Sequence, residues 1–169
     1  MTLNADKAEV IELLSDPIRV AGMLGHITLL EKGEGEDSYS ASLILASQNR
    51  VVALSGKMEG PLFSLSNISY LGTSNDGRVK WEIAFDVRER SKGTTLVKAF
   101  VSFDVKVGLF GRFSSLPKAI AVMPEHLVKY HIVPYLSSFN GTVTERTELR
   151  PSFSKEGKLS EIIGKAMQV

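Results

Sequence analysis

The order in which apolar patterns succeed one another constrains this chain's fold more than any single motif. A short helical unit comes first, from Lys7 to Leu24. About eighty residues of two-residue alternation follow, and an apolar stretch with helical spacing, from roughly Arg112 to Phe139, closes the series. A long sheet that curves, met by one terminal helix, tends to leave space between them. A hydrophobic pocket is therefore the first functional expectation and catalysis the second.

A length of 169 residues suits one domain able to bury a real core. With 43% hydrophobic and 23% charged residues, the composition is that of a soluble globular protein rather than a disordered or membrane-spanning one. Basic residues are scattered among acidic ones and the net charge is +1, so the basic stripe that nucleic acid requires is missing and no nucleic-acid partner is expected. The absence of cysteine excludes disulfides, thiolate nucleophiles and cysteine metal sites. Every apolar stretch is too short to span a bilayer, and MTLNADKAEV lacks the basic and apolar regions of a secretory signal. The expected location is cytoplasmic.

MTLNA reads as a short first strand. Asn4 or Asp6 then caps a helix, with Glu9 placed for a capping box and Val10, Leu13 and Leu14 forming its apolar face. Ser15-Asp16-Pro17 stops this helix and starts a second, which ends at Gly25. Strands are expected over Ile27 to Lys32, Ser38 to Ala46 and Arg50 to Lys57, with Leu62 to Leu71 as a further strand behind a break at Gly60-Pro61. The clearest pair comes next. Val79, Trp81, Ile83, Phe85 and Val87 alternate with Lys80, Glu82, Ala84, Asp86 and Arg88, and Val97 to Val107 repeats the pattern after Ser91-Lys92-Gly93. A strand that long must twist, so the sheet should be strongly curved.

Leu116, Ile120, Met123, Leu127, His131 and Tyr135 recur at helical spacing, interrupted by Pro124 and Pro134. A mid-helix proline removes an N–H and clashes with the preceding turn at a cost of about 3 kcal/mol, so a kinked or broken helix is expected. Beyond Asn140-Gly141 the chain turns polar, and Leu159, Ile162, Ile163 and Met167 then offer one apolar face of a short amphipathic helix. The division is thus residues 1–139 as the ligand-binding domain and 140–169 as a polar extension.

This order of elements, together with EVIELLSDPIRVAGMLGHI and RSKGTTLVKAFVSFDVKVGLFG, resembles the helix-grip fold of the START/Bet v 1-like (SRPBCC) superfamily. Within these stretches Gly93-Thr94-Thr95-Leu96 resembles the family's Gly-Thr hairpin, and Gly108 and Gly111 resemble the glycines introducing the last helix. The resemblance is closest to the carbon monoxide dehydrogenase G-like group of small proteins. It implies an α+β fold: a curved seven-stranded antiparallel sheet around a long C-terminal helix, with two short helices after the first strand. It also implies lipid-like or quinone cargo, or a role in assembling a redox enzyme, and it transfers no catalytic residue.

Signatures of catalysis are missing. There is no GxSxG elbow, no HExxH pattern, and Gly108-Leu109-Phe110-Gly111 lacks the Lys-Ser/Thr of a phosphate loop. Of the three histidines, His126 and His131 stand five residues apart, about 140° around an α-helix, poorly placed to share a metal. No metal, cofactor or catalytic residue is expected. The apolar set carries more weight. Met23, Trp81, Ile83, Phe85, Val101, Phe103, Leu116, Ile120, Met123 and Leu127 are the candidate lining of a cavity for a lipid, isoprenoid or quinone, against the alternative of a fully packed core. Met23, Met58 and Met123 suit an adaptable lining if they face inward. A break at Pro124 and a loop at Gly60-Pro61 are candidate lid elements. The second functional reading is an accessory protein whose C-terminal helix docks on a protein partner or a membrane surface. The third is an enzyme acting on an aromatic or polyketide-like substrate.

Overall fold

Two-residue alternation becomes antiparallel register in the computed structural model, which describes residues 1–47, 50–106, 116–139, 141–142, 148–149, 161–163 and 167–168. Seven strands lie in sequence order: β1 (Thr2–Leu3), β2 (Ile27–Lys32), β3 (Ser38–Ser47), β4 (Arg50–Ser64), β5 (Asn67–Ser74), β6 (Val79–Ser91) and β7 (Thr94–Lys106). They form an antiparallel sheet ordered β2-β3-β4-β5-β6-β7-β1. Between β1 and β2 come helices α1 (Lys7–Ser15) and α2 (Pro17–Leu24). The protein is α+β, and the sheet is followed by a C-terminal helix.

The pair β6 and β7 has the expected register. Trp81 faces Phe103, Ile83 faces Val101 and Phe85 faces Ala99, so one face carries a continuous apolar ladder. All six side chains are buried, whereas Lys80 and Lys98, on the opposite face, are exposed. Helix α2 starts as expected: Asp16 Oδ1 accepts from the backbone N–H groups of Ile18 and Arg19 at 2.9 and 3.2 Å, with Pro17 at the first helical position. It ends at Gly25, whose φ of 64° is left-handed. At α1 the Asp6 N–H donates to Glu9 Oε2 at 3.2 Å.

The long helical run is continuous from Leu116 to Ser138: α3 (Leu116–Leu127), a π turn (Val128–Ile132) and α4 (Val133–Ser138). Its expected start at Arg112, with Gly108 and Gly111, lies outside the described residues. Helix α3 packs against both β3 and β7. Those strands are four steps apart in the sheet.

Three expectations change. Gly60-Pro61 is not a break: β4 runs through it by way of a cis peptide and a register shift between Glu59 and Leu62. A bulge is where a strand tolerates a residue with no N–H to give. The reversal falls instead after Ser64, where Leu65 has φ 54°. Of the kinked or broken helix expected at Pro124, only the break is ruled out, since α3 continues to Leu127. The change of hydrogen-bonding pattern comes at the π turn, where the Val133 N–H donates to the Val128 carbonyl. Widening the helix there eases Pro134, whose ring would otherwise press on the carbonyl four residues back.

The third change concerns the C-terminal extension, expected as a helix over Lys158 to Met167. Four short strands occur there: β8 (Gly141–Thr142), β9 (Glu148–Leu149), β10 (Glu161–Ile163) and β11 (Met167–Gln168). Strand β1 is only two residues long and covers Thr95 and Leu96 of β7, while β10 and β11 pair with Asp104 to Lys106 and with Phe100 and Val101. An unpaired strand edge offers backbone partners that a short isolated helix cannot match. Leu159 and residues 143–147 and 150–158 lie outside the described residues.

The β5–β6 hairpin is held by Asp76. Its carboxylate accepts from Ser74 Oγ at 2.6 Å, the Arg78 N–H at 3.0 Å and Arg78 Nε at 2.7 Å. The Ser74 hydroxyl, then the Arg78 contacts, pull its pKa from the ordinary 3.8 to about 2. A depressed carboxylate pKa stabilises the fold above the unfolded value, and that stabilisation disappears as pH falls through the folded value. Thermal melts should therefore lose part of the wild-type stability between pH 3.8 and about 2. Asp76→Asn should have a shallower slope across that window, and identical slopes would refute the assignment.

Candidate functional site: three histidines beside an apolar groove

Where α2 hands over to β2, the chain turns on Gly25 and presents His26. The His26 carbonyl accepts from the Ile44 N–H at 2.8 Å, and His26 Nδ1 stands 2.8 Å from the Ile44 carbonyl. A carbonyl only accepts, so in the neutral ring Nδ1 carries the proton and Nε2 keeps its lone pair. Strand β3 thus fixes both the backbone and the tautomer of this residue.

Two further rings meet it from the terminal helix. His126 lies near the end of α3 and His131 in the π turn. His26 Nε2 is 3.0 Å from His126 Nε2, and His131 Nε2 is 3.1 Å from the same atom. The ring centroids are 5.0 Å apart in each pair. The premise that five residues separate His126 and His131 by about 140° holds only for an uninterrupted α-helix. Hydrogen bonding from residue i to i+5 in the π turn brings residues five apart towards the same face. Gly25 contributes space as well as a turn: a Cβ there would sit 3.1 Å from His131 Cε1.

All three rings are half-buried. Burial, followed by the nearby His26 ring, lowers the pKa of His126, and burial, then His26 and His126, lowers that of His131. Burial thereby disfavours the charged form of both rings. The donor set is three imidazoles, a combination suited to zinc, copper or nickel. The expectation that no metal-ligating set exists rests on the helix angle, and that angle does not apply here.

An apolar groove of about 680 Å³ lies alongside, between α2 and β2. Ile18, Ala21 and Gly22 form one wall and Ile27, Leu29 and Leu30 the other, with Gly25 at one end and the cross-strand neighbours Lys32 and Tyr39 at the other. Ile18 is 72% exposed and Leu30 60%, unusual for large apolar side chains. A second groove, about 560 Å³, crosses β4 to β7 and is lined mainly by polar side chains such as Lys57, Glu59, Lys80, Glu82 and Asp104. Trp81 also borders it, and its buried Nε1 has no hydrogen-bond partner among the described residues.

The residues expected to line a cavity lie elsewhere. Met23, Trp81, Ile83, Phe85, Val101, Phe103, Ile120, Met123 and Leu127 all belong to one contiguous buried cluster. Trp81 also borders the polar groove, and none of the set lines the apolar one. The side chain of Leu116 lies outside the described residues. The histidine cluster escaped the sequence because His26 is 100 residues from His126. The open groove had one faint signal, Gly22 inside the mostly apolar α2.

No protein-family model matches the chain, and no curated protein matches it. Among the described residues, no helix is long and apolar enough to cross a membrane.

Proposed function

We propose that the protein binds a hydrophobic small molecule, such as a lipid tail, isoprenoid or quinone, and that the groove between α2 and β2 receives it. The observation that carries this reading is the groove: a mostly apolar lining, with Thr28, Glu31, Lys32 and Tyr39 as its polar members, and a volume of about 680 Å³. That volume falls within the roughly 300–1,000 Å³ of small-molecule sites. Lys32 and the Tyr39 hydroxyl are placed to orient a polar head group. The packing of α3 against both β3 and β7 supports the helix-grip reading, a fold shared by lipid carriers and hormone receptors as well as enzymes.

Desolvation supplies the driving force. Each buried CH₂ contributes about 0.8 kcal/mol, so a ten-carbon tail yields about 8 kcal/mol before association costs of at least about 4 kcal/mol. A longer tail, or a head group held by Lys32, is needed for micromolar affinity, which corresponds to about −8.2 kcal/mol.

Gly22 provides the test, because a Cβ at this position meets nothing within 4 Å. Gly22→Ala should stabilise the protein by about 0.5–1 kcal/mol, the usual gain on removing glycine from a helix interior. Gly22→Phe should keep the fold but fill the groove, weakening binding of a fluorescent fatty-acid analogue at least tenfold. Equal binding by Gly22→Phe and wild type would remove the groove from the mechanism. A wild type that binds no member of a lipid and quinone panel would remove the function.

A further inference from the structure

We propose that His26, His126 and His131 bind one divalent transition-metal ion of the zinc class through their imidazole nitrogens, leaving a fourth coordination position for water or an anionic small molecule. The site goes beyond hydrophobic binding and stands whether or not the groove is filled.

The convergence of the rings is the first reason. An imidazole nitrogen has one in-plane position, filled either by a proton or by a lone pair, yet His126 Nε2 has neighbours at 3.0 and 3.1 Å. One proton there can serve both contacts only as a divided bond. A cation at the centre serves all three nitrogens at once. In a tetrahedral site with metal–nitrogen distances of about 2.0–2.1 Å, ligand nitrogens lie about 3.3 Å apart. The observed spacings are within a few tenths of an ångström of that, and the ligand atoms of all three residues lie within 4.8 Å of one another.

The surroundings of the rings supply the second reason. The His26 Nδ1 contact with the Ile44 carbonyl at 2.8 Å is the outer hydrogen bond that ligating histidines usually make. It aims Nε2 at the other two rings. The ligands come from three separately positioned places: the chain just before β2, the end of α3, and the π turn. A π turn inside an α-helix often marks a functional site, and here it brings His131 to the cluster. Gly25 leaves room for the His131 ring. Three protein nitrogens in a half-buried setting leave a fourth position free, the pattern of zinc sites that exchange a ligand rather than closed structural ones.

Untagged full-length protein, stripped with chelator, should bind one equivalent of Zn²⁺. With Co²⁺ it should develop the visible absorption of a four-coordinate ion. Losing an outer hydrogen-bond partner of a ligating histidine typically weakens binding about 10–100-fold, so losing a ligand should exceed that. His126→Gln and His26→Gln are each expected to weaken Zn²⁺ binding by at least about 100-fold and to abolish the cobalt band. Gly22→Phe should leave both intact, which separates this site from the groove. Zinc binding of equal strength in wild type and the histidine variants would overturn the proposal, as would no stoichiometric binding by wild type. If a variant fails to fold, X-ray absorption on the zinc-loaded wild type decides the matter: three imidazole scatterers uphold the site and fewer than three refute it.

Discussion

Gly72→Ala is expected to unseat the single tryptophan of the chain and to cost about 3 kcal/mol or more, on the scale of lost aromatic packing in a core. A Cβ at Gly72 would lie within the indole ring of Trp81, at 1.8 Å from Cε2 and 2.2 Å from Cζ2. The two residues are cross-strand partners on β5 and β6, so neither backbone can withdraw without breaking the ladder. Trp81 is only 2% exposed and is held from the other side by Phe103 on β7, leaving the ring no free direction. Urea denaturation should show the loss, and the tryptophan emission should shift to the red as the ring meets water. Trp81→Leu in the same background should recover part of the stability, because residues in contact are not additive. A loss under about 1 kcal/mol with unchanged emission would mean the sheet yields more easily than its packing implies.

The second large effect is expected from Ile120→Trp. Ile120 is fully buried on the face of α3 turned to the sheet, in the same cluster as Met123, Leu127 and Phe103. Overpacking a filled core costs typically about 1–3 kcal/mol, and the added indole places this substitution at the upper end. The midpoint of denaturation should fall while its slope stays constant. A change near zero would instead reveal usable space between helix and sheet. It would move the ligand site inward to the residues that the apolar pattern of the sequence suggests. This measurement and the Gly22→Phe binding test therefore locate the ligand from opposite directions.

What could be read from the sequence was what depends on near neighbours. The alternation in β6 and β7 is legible because one face is apolar and the other charged, and a slip of one residue would exchange the faces. The Asp16-Pro17 start and Gly25 end of α2 are legible because capping is satisfied within a few residues. Misreadings came where a distant partner outweighed a local preference. The spacing of Leu159, Ile162, Ile163 and Met167 suits a helix, but the open edge of β7 draws Glu161–Ile163 and Met167–Gln168 into strands. Gly60-Pro61 has the composition of a turn, yet β3 and β5 hold it within β4, and the reversal falls on a leucine with no turn preference of its own.

The candidate site lies almost wholly on the tertiary side of this division. Sequence alone determined an α+β chain with a curved antiparallel sheet and an apolar terminal helix, because periodicity and capping are short-range. Only the tertiary structure decided that the expected lining residues share one buried cluster and that an apolar groove stands open beside α2. It also decided that three histidines meet. Residues 26 and 126 become neighbours only when the terminal helix packs on the sheet, and His131 joins them only because the π turn alters the helical register. No local pattern encodes that meeting, since it depends on how the two ends of the fold close upon each other.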